Sequence, residues 1–147
     1  MMRAPVQSAL MLLMLLGVAH AQYPGWQHSG SFHVLTSPEG ANLPATAVER
    51  DFPLLVRLNK AVFDFGQAKP NGEDIRFSAE GKPLAYQIEE WDAAKGAASI
   101  WVRLPVIKGN AHQEIRLHWG QADAVSESNG FAVFSADNGY ATVMHMD

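Results

Sequence analysis

The sequence predicts an all-β fold, an antiparallel β-sandwich of jelly-roll-like character with roughly seven to eight strands. Three observations carry this. Apolar and polar residues alternate with a period of two over roughly seven short stretches. Turn-forming residues punctuate the chain about every ten residues, the spacing expected of short antiparallel strands. No long stretch has the 3.6-residue period of an amphipathic helix.

The clearest alternation runs over residues 83–107 and reads as a β-hairpin around the small-residue loop Asp92-Ala-Ala-Lys-Gly-Ala-Ala98. Leu84, Tyr86 and Ile88 share one face of its first strand. Ile100, Val102 and Leu104 share one face of the second, and these two faces make the inside. Strict alternation puts Gln87, Glu89, Trp91, Trp101 and Arg103 outside.

The remaining elements follow in order. Residues 22–30 form a lead-in punctuated by Pro24-Gly25, and residues 32–36 a first short strand. Residues 37–49 hold Pro38, Gly40 and Pro44 and read as a loop. Residues 51–58 place Phe52, Leu54, Val56 and Leu58 on one face. Pro53 cannot donate to a ladder, so this strand belongs at a sheet edge or begins there. Residues 59–67 read as a turn of helix or an irregular loop, with Val62, Phe63 and Phe65 capping the core. After the turn Pro70-Asn71-Gly72-Glu73, residues 74–78 form a strand with Ile75 and Phe77 inward. Glu80-Gly81-Lys82 turns into the hairpin. Residues 114–119 alternate again, with Ile115, Leu117 and Trp119 together. Residues 122–125 suggest a helical turn, and residues 140–146 a last strand.

At 147 residues, 48% hydrophobic and 18% charged, the chain has material for one core. A net charge of −4 offers no basic surface for phosphates and speaks against nucleic acid as a partner. Without cysteine there is neither a disulfide framework nor a thiolate zinc site. The start of the chain reads as a targeting signal. Arg3 supplies positive charge, residues 9–18 an apolar run, and Ala19-His20-Ala21 a small-x-small cleavage site. A bilayer span needs about 20 apolar residues, and this run is roughly half that. Residues 1–21 are therefore expected to be a cleaved signal peptide and residues 22–147 one exported domain, with no transmembrane span. The sequence stops within its last strand candidate, so a fragment of a longer chain is expected.

No motif converges on chemistry. A glycosidase needs two carboxylates flanking one bond. Alternation sends Glu89 and Glu90 to opposite faces, while Glu90 and Asp92 share a face at the hairpin end, where solvated carboxylates are common. Asn71-Gly72-Glu73-Asp74 lacks the spaced oxygen ligands and distant bidentate glutamate of a calcium loop. His28, His33, His112, His118 and His145 stand singly and read as surface or edge residues rather than metal ligands. Ser126 and Ser128 lie in a polar loop without a nucleophile elbow, and Asp64-Phe65-Gly66 is a chance tripeptide. No catalytic residue, metal or cofactor is expected. The candidate binding residues are Trp91 and Trp101, with Arg103 and Glu89 as a polar rim. They suit stacking on a sugar, contact with another protein or domain, or cross-strand packing within the sheet.

Several stretches carry a resemblance. They are Asp51-Phe-Pro-Leu-Leu-Val-Arg-Leu58, Phe63-Asp-Phe65, Asn71-Gly-Glu-Asp-Ile-Arg-Phe77, Tyr86-Gln-Ile-Glu-Glu-Trp-Asp92 and Ile100-Trp-Val-Arg-Leu-Pro105, with Leu117-His-Trp-Gly120 and Tyr140-Ala-Thr-Val-Met-His145. Together they resemble domain-of-unknown-function family 2341 over nearly all of residues 22–147. Trp119-Gly120-Gln121 stands where that family usually has Tyr-Gly-Asn. The resemblance implies an exported bacterial β-domain, periplasmic or extracellular. Its neighbours are often concanavalin-A- or laminin-G-like lectin domains, or proton channels of the MotA/TolQ/ExbB type. It implies no catalytic residues. The expected role is a non-catalytic binding module of an envelope or secreted protein, such as the periplasmic part of a MotA/TolQ/ExbB-type transport protein. Its partner would be a downstream domain, an envelope protein or a glycan. The alternative is a carbohydrate-binding accessory module of a secreted glycan-active enzyme. A resemblance of fold and neighbourhood does not make a site.

Overall fold

Alternation decides which side chains meet in the middle, and two sheets bury their apolar faces against each other. The computed structural model describes residues 22–135 and Gly139. The strands are β1 (His28–Leu35), β2 (Val48–Asn59), β3 (Arg76–Ala79), β4 (Lys82–Leu84), β5 (Tyr86–Asp92), β6 (Ala97–Lys108) and β7 (His112–Trp119). One antiparallel sheet has the order β1-β7-β3-β4 and the other β2-β6-β5. Every connection crosses between the sheets except β3–β4 and β5–β6. That winding is jelly-roll-like, with seven strands among the described residues. The expected signal peptide (residues 1–21) and the strand expected over residues 140–146 lie outside the described residues. Among the described residues no helix is long and apolar enough to cross a membrane.

The core joins Val56, Leu58, Ile100, Val102 and Leu104 from one sheet to Phe77, Leu84, Ile115 and Leu117 from the other. Ile75, Phe63 and Phe65 close its end, the last from a 3₁₀ turn, Phe65–Gln67. Val62 does not join them; it is largely exposed. β2 is an edge strand, as Pro53 requires. Opposite β2, Pro105 interrupts the ladder of the central strand β6, and Asp51 there adopts φ = 51°.

Two departures from strict alternation shape the outer surface. At Ala85 the chain changes sheets, so Leu84 pairs with Phe77 in one sheet while Tyr86 pairs with Val102 in the other. At Glu89 the register slips: Ile88 faces Ile100, but Glu90 faces Ser99. The inserted residue is a β-bulge, which inverts the facing of everything after it. Trp91 therefore points inward, opposite Ala98, and packs edge-on against Phe63 and Phe65 at 5.9 and 5.1 Å. The expectation that Trp91 shares the outer face with Trp101 is corrected by this one residue. The separation of Glu89 from Glu90 fails for the same reason, since both are exposed.

Gly72 shows how closely Trp91 is held. It has φ = 70°, and a Cβ there would lie 2.8 Å from the indole Cε3. Glycine is required on both counts.

Candidate functional site

The outer face of the three-stranded sheet keeps Trp101 and Arg103 on β6, and residues 126–134 run across it. Asn129 N–H donates to Tyr86 O (2.8 Å), and Ile88 N–H donates to Ser128 Oγ (2.8 Å). This strap occupies the free edge of β5, which would otherwise present unpaired backbone groups. The chain then turns into α1 (Gly130–Val133), capped by the Asn129 side chain, and Val133 is fully buried.

Beyond it, Phe134 meets Trp101 edge to face at 5.5 Å. Trp101 Nε1 donates to Glu89 at 3.0 Å. Arg103 reaches two ways, to Asp51 Oδ1 (2.8 Å) and to the carbonyl of Ala132 (3.2 Å). Of the four sequence candidates, Trp101, Arg103 and Glu89 thus lie on one surface, and Trp91 does not. Arg103 is partnered by Asp51, a residue the sequence did not single out. Phe131 stands out from the strap, 89% exposed.

On the opposite sheet a polar assembly replaces the exposed strand face. Arg76 follows Ile75 and precedes Phe77, so it points outward, yet it is only 3% exposed. Its guanidinium donates to the carbonyls of Glu73, Ile75 and Val125 and to Tyr86 Oη, and it pairs with Glu127 at 3.1 Å. Trp26 covers it, with the guanidinium carbon 5.3 Å from the ring centroid. Asp74 is 1% exposed and accepts from Lys69 N, Gly120 N and Gln121 N at 2.9, 2.7 and 3.1 Å. The Lys69 ammonium holds the carbonyls of Ala122 and Ala124. Together they fasten residues 120–127 as an extended loop; the helical turn expected at residues 122–125 reduces to a single hydrogen-bonded turn.

His118 also departs from expectation. A histidine standing singly predicts a surface or edge position, but His118 is buried, its Nε2 2.9 Å from Ser78 Oγ and its ring 4.9 Å from that of Tyr23. Burial, seconded by the Arg116 charge, pushes its pKa below the ordinary 6.5. The folded chain then holds this proton less tightly than the unfolded chain. Stability from His118 is complete above about pH 6.5 and is lost as pH falls below that value toward the depressed folded pKa. The urea midpoint is expected to fall between pH 7 and pH 5, and to fall less in His118→Gln. Glu39, Glu73, Asp92 and Glu114, all shifted down from 4.5 and 3.8, titrate below that window. An equal slope in the variant would assign the effect to other groups.

Among the described residues no three His, Asp or Glu side chains gather as a metal site. Ser126 Oγ accepts from Ser128 N–H, and Ser128 Oγ accepts from Ile88, so both hydroxyls serve the strap. Asp92 pairs with Lys95 across the loop.

No curated protein and no solved structure matches the chain. A family model described as a domain of unknown function (DUF2341) matches residues 71–145, half of the chain. That stretch opens at Asn71-Gly72-Glu73-Asp74, runs through Arg76, the bulged β5 and the strap, and so contains most of the polar fastening described above. This chain belongs to the DUF2341 family.

Proposed function

We propose that this chain is a non-catalytic binding module of an exported bacterial protein, and that it meets its partner through the strapped outer face of the three-stranded sheet. The observation that carries this is Phe131, a large apolar side chain 89% exposed on a segment otherwise held by hydrogen bonds and a buried valine. On the same short segment Phe134 meets Trp101, and the Ala132 carbonyl accepts from Arg103. Aromatic and arginine side chains grouped in this way are typical anchors of protein contacts. The partner is another envelope protein or a following domain of the same polypeptide. It would be the periplasmic part of an assembly such as a MotA/TolQ/ExbB-type transporter if the family's usual neighbourhood holds here.

The alternative, a carbohydrate-binding accessory module stacking sugars on the tryptophans, finds less support at this face. Trp91 is turned into the core, and Trp101 has Phe134 against its ring and Glu89 on its nitrogen. The test is a photocrosslinking amino acid at position 131 in the producing bacterium, with position 80 on the opposite sheet as the comparison. A discrete adduct from 131, to another protein or to a following domain of the same polypeptide as mapped by peptide mass spectrometry, and none from 80 is expected. No adduct, or the same adducts from both positions, would defeat the reading.

A further inference from the structure

We propose that the pocket on the outer face of the four-stranded sheet binds one neutral pyranose ring, a site separate from the strapped face. The pocket has a volume of about 470 Å³, within the range of about 300–1,000 Å³ typical of small-molecule sites. Tyr23 walls one side, its ring tilted on that of His118. Arg116 and Glu114, 3.2 Å apart, line another, and Glu80 closes the end from the turn between β3 and β4.

The chemistry of the lining selects the ligand. Two carboxylates and one guanidinium surround the cavity, so an anion would meet more repulsion than attraction. A sugar hydroxyl both donates and accepts, and can therefore use carboxylate and guanidinium together. Glu114 is held ionised by Ser31 and Arg116, which keeps it an acceptor. His118 spends Nε2 on Ser78, leaving Nδ1 as its remaining polar atom. The Tyr23 ring, packed on Trp26 as well as on His118, lines the pocket and gives its remaining apolar surface to the C–H side of a ring.

The wall is also pre-formed, which lowers the cost of ordering it on binding. The lead-in carrying Tyr23 is fixed at three points: Trp26 Nε1 to Asp74 O (2.6 Å), Gln27 N to Gly120 O (3.4 Å), and Gln121 Nε2 to Gly25 O (3.0 Å).

The experiment is calorimetric titration of the full chain with D-glucose, D-galactose and N-acetyl-D-glucosamine, with D-glucuronate and inorganic phosphate as anionic probes. At least one neutral sugar is expected to saturate in the millimolar range, with Arg116→Gln and Tyr23→Ala each weakening it by about tenfold or more. Trp101→Ala should leave it unchanged, so this test and the crosslinking test fail independently. Should Tyr23→Ala not fold, Arg116→Gln decides alone, since Arg116 is more than half exposed. Saturation by no neutral sugar, stronger binding of the anions, or wild-type affinity in Arg116→Gln would overturn the proposal.

Discussion

Asp74→Ala is expected to be the most damaging single substitution in the described chain, lowering the unfolding free energy by about 3–5 kcal/mol. The carboxylate is buried and satisfies three backbone N–H groups from two separate segments, Lys69 on one side and Gly120 and Gln121 on the other. Alanine strands all three donors, and each buried donor left without a partner costs about 1–3 kcal/mol. Asp74→Asn should cost roughly half as much, because its one carbonyl oxygen can face either Lys69 or the Gly120–Gln121 pair but not both. Urea denaturation at neutral pH gives the magnitudes. Amide hydrogen exchange should show residues 120–127 losing protection before the strands do. A loss below about 1 kcal/mol for Asp74→Ala would mean that water reaches these donors and that the loop is fastened by Arg76 and Lys69 instead.

This bolt is also where the sequence was least readable. Asp74 and Arg76 alternate with Ile75 and Phe77, and by period alone they belong on a solvated face. They are buried because Tyr23 and Trp26 from the lead-in and residues 120–127 fold over that face, partners 46 to 55 positions away for Asp74, Arg76 and Lys69. Periodicity carries no information about such contacts. The sheets themselves were legible because each strand writes its inward face locally: Ile75 and Phe77, Ile100 and Val102, Ile115 and Leu117 all lie where alternation put them. The edge position of β2 was legible from Pro53 for an equally local reason. The sheet change at Ala85 and the bulge at Glu89 were not, since either needs only a shift of one residue in a run that still alternates convincingly on both sides.

The bulge gives the second large expected effect, a contrast between two tryptophans that the sequence alone treats alike. Trp91→Ala should cost roughly 3 kcal/mol or more, the range for emptying an aromatic site in a core. Its ring touches Phe63 and Phe65 and sits against the backbone of Gly72. Trp101→Ala should cost about 1 kcal/mol or less, because its contacts, Phe134 and Glu89, lie on a half-exposed surface. Trp91→Phe should recover most of the loss, since the indole nitrogen is buried without a hydrogen-bond partner and its removal strands nothing. Thermal and urea unfolding of the three variants provide the measurement. Equal losses at 91 and 101 would place both rings on one face, and the strand would then alternate without a bulge. A large loss at 101 alone would put the strap, not the two-sheet core, in charge of stability. The expected order ties the two readings together: a tryptophan that the core needs is unavailable for recognition, and the one the core can spare is the one that meets the strap carrying Phe131.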